Sequence, residues 1–152
     1  MSIAYIGIGT NIGNRKDNIK AALEAINLLP KTKVLKVSNL YETEPWGFLE
    51  QDKFLNAAAK IQTEFSSACF LGMLLGIEAS MGRVRSIKNG PRVIDLDLLY
   101  FDNEVLNTKE LTLPHPRVNE RAFVLVPLKD VKADDEIIAV LNKIDTSGVK
   151  LY

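Results

Sequence analysis

Sulfur and imidazole are scarce in this chain: one cysteine, Cys69, and one histidine, His115, stand among 152 residues. A single thiol excludes an internal disulfide, and no Cys/His spacing exists for a structural zinc. An excess of charge is missing too. Nineteen Lys plus Arg balance nineteen Asp plus Glu, which excludes a generally basic nucleic-acid binder but leaves room for a local basic site. No apolar run approaches the roughly 20 residues of a membrane span. Met1-Ser2-Ile3-Ala4-Tyr5 lacks the basic stretch and apolar core of a secretory leader, so the expected setting is the reducing cytoplasm. Repeats, low-complexity stretches and Pro/Gly/Ser linkers do not occur. What is left is 47% hydrophobic and 25% charged, the mix of an ordinary soluble domain. One domain over residues 1–152 is expected, large enough to hold an unstapled core.

Strand-like and helix-like segments alternate along the chain. Ile3 to Ile8 is rich in β-branched residues, which predicts a strand. Asn14 is placed to cap a helix with Asp17 in its first turn and Ile19, Ala22, Leu23 and Ile26 on its stripe. Val34 to Thr43 reads as a second strand and Glu44 to Asp52 as a loop. Phe54 to Thr63 alternates, with Leu55, Ala57, Ala59 and Ile61 on one face and Phe54, Asn56, Ala58 and Lys60 on the other. Ser66 or Ser67 caps the next helix, whose stripe is Phe70, Met73, Leu74, Ile77 and Met81. Gly82 stops it. Cys69 reads as core. Arg83 to Arg92 is a loop, Val93 to Phe101 a strand, and Asp102-Asn103 a turn. Asn119 to Leu128 is read as a short helix, and Asp134 caps a last one. This order favours an α+β layer fold with a largely antiparallel sheet over a doubly wound parallel one.

The most informative segment is Val93-Ile94-Asp95-Leu96-Asp97-Leu98-Leu99-Tyr100-Phe101. On a strand, Asp95 and Asp97 share a face with Cα atoms about 6.5–7 Å apart. Alternation places Val93, Leu99 and Phe101 beside them, and Ile94, Leu96, Leu98 and Tyr100 on the other face. Two carboxylates about 6 Å apart at an effective dielectric near 20 repel by roughly 3 kcal/mol. A divalent cation reverses that sign, and Mg²⁺ favours carboxylates combined with substrate phosphates. A half-exposed strand carrying two acids would explain the pattern without chemistry. The segment before it weakens that alternative: Arg83, Arg85, Lys88 and Arg92 fall in ten residues without an acid. Arginine suits bidentate phosphate contact, so cations beside paired aspartates describe a metal and polyphosphate site.

Other candidates are weaker. Gly7-Ile8-Gly9-Thr10-Asn11-Ile12-Gly13 follows a strand and precedes a helix, yet its spacing is one residue too long for a dinucleotide fingerprint. These glycines read as a tight turn, or alternatively as the wall of a flat ligand site. Phe54 and Asn56 share a strand face, offering a ring and an amide to a planar heterocycle, with Trp46 and Phe48 near enough in sequence to cover it. Core packing explains them equally well. His115, between two prolines, reads as a surface-reachable loop residue, with Arg117 and Arg121 as a second phosphate-facing wall. Glu78 is either surface or turned toward the basic loop.

Taken in order, these segments resemble the 6-hydroxymethyl-7,8-dihydropterin pyrophosphokinases of folate biosynthesis. The resemblance runs through Tyr5-Ile6-Gly7-Ile8-Gly9-Thr10-Asn11, Tyr41-Glu42-Thr43 with Pro45 and Gly47, and Phe54-Leu55-Asn56-Ala57. It continues through Gly82-Arg83-Val84-Arg85, Gly90-Pro91-Arg92, Asp95-Leu96-Asp97, Leu113-Pro114-His115-Pro116 and Arg121-Ala122-Phe123. It implies a three-layer α/β/α, ferredoxin-like fold and transfer of pyrophosphate from ATP to the pterin hydroxymethyl group, with AMP released. It implies two Mg²⁺ ions on Asp95 and Asp97, and catalytic roles for these two with Arg83 and Arg92. Phe54 and Phe123 match rings that sandwich the pterin, and Thr43 and Asn56 its edge contacts; Trp46 is placed on the pterin side as well, although Glu44 and Trp46 differ from some members there. Glu78, Arg85, Leu98, Thr112, His115 and Arg121 match positions lining ATP. The implied partners are these small molecules, without nucleic acid or membrane, and the expected state is a monomer. Against the family pattern, the basic loop is one residue shorter than in some members and lacks their tryptophan. Glu110 stands where some carry arginine, and Phe54 replaces a common tyrosine.

Overall fold

The computed structural model describes residues 1–44, 50–82 and 92–152. In chain order its elements are β1 (Ser2–Thr10), α1 (Arg15–Asn27), β2 (Thr32–Val37), β3 (Tyr41–Thr43), β4 (Phe54–Thr63), α2 (Ser67–Ser80) and β5 (Asp95–Phe101). Then come β6 (Leu106–Asn107), β7 (Thr112–Leu113), a 3-10 turn at Val118–Glu120, α3 (Ala122–Val131), α4 (Asp135–Leu141) and β8 (Val149–Leu151). The main sheet runs β5-β1-β4-β3-β8, with β2 sharing the edge of β4 that β3 leaves open. Every pairing in it is antiparallel. Since β1 and β2 both oppose β4, they are parallel to each other; β4 and β5 are likewise parallel. The β1–α1–β2 and β4–α2–β5 units are therefore crossovers, and their common handedness puts both helices on one face.

The alternation of β4 holds throughout. Leu55, Ala57, Ala59 and Ile61 pack with Ile19, Ala22 and Ile26 of α1 and Phe70, Leu74 and Ile77 of α2. Ala58 turns the other way, into a second core with Leu125, Leu128 and Val131 of α3 and Ile137 of α4. The result is the expected three-layer arrangement. Leu125 and Leu128 are fully covered, and burial of such a side chain contributes about 1.5–3 kcal/mol. The helix starts form as the sequence predicts: Asn14, Ser66 and Asp134 accept from the backbone N–H of Asp17, Cys69 and Ile137. Gly82, at φ 83°, follows the end of α2.

Three expectations need correction. The strand expected over Val34 to Thr43 is two strands, because Ser38 takes both backbone groups of Ala58: its N–H donates to the Ala58 carbonyl and its Oγ accepts from the Ala58 N–H, each at 2.8 Å. Alternation in β5 breaks at Leu99, where the register with β1 shifts: Ile6 faces Leu98 but Tyr5 faces Tyr100. This β-bulge reverses the phase. Phe101 joins the α1/α2 core and Tyr100 lies against the α3/α4 core with Leu99, the opposite of simple alternation. Cys69 is exposed rather than core, since Ser67 and Phe70 take the inward positions of that first turn.

Candidate active site

The site is built on the α3 side of the sheet, where β5, β1 and β4 lie side by side. Gly9 is opposite Asp95 on β5 and opposite Asn56 on β4; Gly7 is opposite Asp97 and Ala58. Directly paired residues share a face, so the two carboxylates and the Asn56 amide flank a strip of glycine backbone. Gly7 and Gly9 are thus strand residues, and only Gly13, at φ 71°, lies in the expected bend. A cavity of about 610 Å³, open to solvent, stands over this strip; Asp95, Asp97 and Arg92 line one end and Phe54, Asn56 and Thr43 the other. Phe123, near the start of α3, and Arg121 contribute to the wall above.

At the acidic end, Arg92 Nη1 lies 3.1 Å from Asp95 Oδ2, both side chains mostly covered. Asp97 is pushed up from 3.8 to about 7, chiefly by burial and then by the negative charge of Asp95, with Arg121 pulling the other way. Among the described residues no cluster of three or more His, Cys, Asp or Glu side chains could cage a metal. Two carboxylates on one face suit instead a cation that completes its shell with substrate oxygens and water. Burial and the Arg121 guanidinium lower the His115 imidazole below its ordinary 6.5, leaving it neutral at pH 7.

At the other end, Asn56 Nδ2 donates to Thr43 Oγ1 at 2.8 Å. That bond fixes the amide and leaves Oδ1 toward the space above Gly9, where an added Cβ would come within 3.2 Å of it. Phe54 is partly exposed on the same face. Phe54, Phe123 and the Asn56 amide line the same cavity, a lining that suits a flat ring with donor groups on its edge.

Sequence reasoning singled out no role for Asn11, which is only 3% exposed. Its Oδ1 accepts from the Arg92 backbone N–H at 2.8 Å and its own N–H donates to the Arg92 carbonyl at 3.0 Å. Its Nδ2 donates to Gln51 Oε1 and to the Asp52 carbonyl at 2.8 and 2.9 Å. One side chain thus holds both Arg92 and the segment leading into Phe54. The only local signal was a polar residue at the end of an apolar strand.

The remaining sequence candidates lie elsewhere. Glu78 is 3% exposed and so not a surface residue: its Oε2 accepts from the Leu96 N–H at 2.7 Å, and the basic loop it was alternatively expected to face lies outside the described residues. Its position on α2 at the edge of β5 explains this. Leu98 is buried in the α1/α2 core. Thr112 lies in the β6/β7 hairpin, and His115, held by its N–H to the Leu99 carbonyl at 2.9 Å, is half-buried. Trp46, Phe48, Arg83 and Arg85 fall outside the described residues.

A carboxylate pair beside a guanidinium, sharing one cavity with a ring-flanked amide on a ferredoxin-like sheet, is the lining expected of a group transferase for a flat substrate. Comparison with known proteins narrows the class. The family model for 7,8-dihydro-6-hydroxymethylpterin-pyrophosphokinase (HPPK) matches residues 5–133. The 2-amino-4-hydroxy-6-hydroxymethyldihydropteridine pyrophosphokinase of Methylorubrum extorquens is 42% identical, over 99% of this chain and 98% of that protein. Its Bacillus subtilis counterpart is 39% identical over 99% and 90%. Among solved structures, wild-type HPPK-DHPS from Plasmodium falciparum matches 99% of this chain with a TM-score of 0.71 at 16% identity. An HPPK-DHPS crystallised with substrates matches 94% at 0.70 and 14%. At these identities the likeness is one of fold, and this chain spans less than half of those chains, 47% and 45%. The chain belongs to the HPPK family, the pyrophosphokinases of folate biosynthesis.

Proposed function

We propose that this chain transfers pyrophosphate from ATP to the hydroxymethyl group of 6-hydroxymethyl-7,8-dihydropterin and releases AMP. The observation that carries this reading is the meeting, in one cavity, of Asp95, Asp97 and Arg92 with Thr43, Phe54, Asn56 and Phe123. In the reaction the pterin hydroxyl oxygen bonds to the β-phosphorus, the bond from that phosphorus to the oxygen bridging to the α-phosphorus breaks, and AMP carries that oxygen away. Such a transfer depends on positioning and charge neutralisation more than on covalent catalysis. Asp95 and Asp97 would hold two Mg²⁺ ions, which when bound neutralise the triphosphate and polarise the attacked phosphorus. Asp95 lies nearer the amide end and helps orient the attacking hydroxyl and accept its proton. Arg92 and Arg83 stabilise charge on the departing AMP. Phe54 and Phe123 sandwich the pterin, Thr43 and Asn56 bond its edge, and Trp46 covers it. Glu78, Arg85, Leu98, Thr112, His115 and Arg121 form the ATP side.

No helix among the described residues is long and apolar enough to cross a membrane, which supports, with the lone cysteine, a cytoplasmic enzyme. Residues 1–152 act as a single monomeric domain in this reading. Its test is AMP formation from MgATP with and without the pterin alcohol. Pterin-dependent AMP is expected; ADP as the nucleotide product would make the chain a different magnesium-dependent phosphotransferase. Metal- and nucleotide-binding without turnover would make it a binding module.

A further inference from the structure

Gly9 occupies the one strand position that lies between the two ends of the cavity. Asp95 is its partner on one side and Asn56 its partner on the other. Neighbouring strands are about 4.8 Å apart, so acid and amide lie across roughly 10 Å with only the Gly9 backbone between them. Its backbone does not require glycine, because its conformation is that of a regular strand and it is not among the positive-φ residues. Space does. A Cβ at Gly9 would stand 3.2 Å from Asn56 Oδ1 and 3.8 Å from the Phe54 ring. Asn56 cannot yield without cost: it is 5% exposed and bonded through Nδ2 to Thr43. At Gly7, by contrast, a Cβ would meet only Leu99 at 3.5 Å, an ordinary contact.

We infer that Gly9 is a positioning residue for transfer: its missing side chain leaves open the line along which the alcohol oxygen approaches the phosphorus. This rests on the reading above, since a heterocycle held at Phe54 and Asn56 and phosphates held at Asp95 and Arg92 can meet only over Gly9. A methyl group there presses on the Asn56 amide and the Phe54 ring, shifting the heterocycle and with it the reacting oxygen while leaving the nucleotide end intact. Misplacement of reacting atoms by about 1 Å lowers rates about a hundredfold.

The test compares wild type with Gly9→Ala in the full chain. The variant should bind a non-hydrolysable MgATP analogue within about threefold of wild type and lose about 30- to 100-fold in kcat for AMP formation. Turnover within threefold of an active wild type, or an equal loss in nucleotide binding, would overturn the role of Gly9 alone. A wild type that forms no AMP with the pterin would overturn the reading beneath it as well. A second measurement does not depend on the variant folding. With ¹⁵N-glycine in the wild-type chain, the Gly9 amide should shift further with analogue and pterin together than with either alone. The amides of Gly72 and Gly76 on α2 should stay still. A Gly9 amide no more responsive than those two would overturn the inference.

Discussion

Asp97→Asn should stabilise the metal-free protein above neutral pH while abolishing transfer. Asp97 is held at about 7 instead of 3.8 by burial and by Asp95. A carboxyl whose folded pKa lies above its unfolded one binds more protons folded than unfolded between those values. Stability from this group is therefore present at low pH and lost as pH rises through about 4 to 7. Each pKa unit corresponds to about 1.4 kcal/mol, which sets a ceiling of roughly 4 kcal/mol at pH 8. That ceiling already contains the opposing pull of Arg121 and Arg92, and because the repulsion is divided between Asp97 and Asp95, about 2 kcal/mol is the expected gain from a neutral amide. For a domain of this size that is about 4–8 °C in Tm. The assay is thermal unfolding with chelator at pH 4.5 and pH 8. At pH 4.5 the gap between the two proteins should be much smaller, because folded Asp97 is protonated and only the unfolded chain has begun to ionise it. At pH 8 the variant should melt higher, and adding Mg²⁺ with a nucleotide analogue should raise wild type much more than variant. A variant that melts no higher than wild type at pH 8, or one equally shifted at both pH values, would refute the reasoning.

Two further outcomes follow from separate parts of the fold. Asn11→Ala removes three hydrogen bonds that tie Arg92 and residues 51–52 together. It should cost about 1–3 kcal/mol in denaturant unfolding and lower kcat for AMP formation more than it weakens pterin binding. Asn11→Asp keeps the acceptor for Arg92 but sets a buried carboxylate oxygen against the Asp52 carbonyl, so it should cost at least as much. Gly72→Ala lies on an exposed face of α2 with no atom within 4 Å of the new Cβ, so it should add about 0.5–1 kcal/mol through helix propensity. Its kinetics should match wild type.

What the sequence made legible was whatever depends on near neighbours. Helix caps at Asn14, Ser66 and Asp134 and the alternation of β4 need only a few adjacent residues to be recognised, and they stand as expected. The reversal at Leu99 and the break at Ser38 are properties of a pairing, set by where β1 and β4 place their own backbone groups. A period-2 pattern in one strand carries no trace of them. Gly7 and Gly9 were ambiguous for the same reason. Read along the chain, a glycine suggests a turn; its purpose is visible only from what faces it on either side.

The acid pair was legible for the opposite reason. It violates a local rule, since two aspartates side by side on an apolar strand cost folding free energy. Arg92 offsets part of that cost through Asp95, yet Asp97 remains raised. Asn11 violates nothing. Its side chain is fully satisfied by distant partners, and a satisfied polar residue leaves no mark on the sequence. A site of this kind is thus announced by the groups that wait for a ligand, while the groups that hold them in place stay silent until the fold is in view.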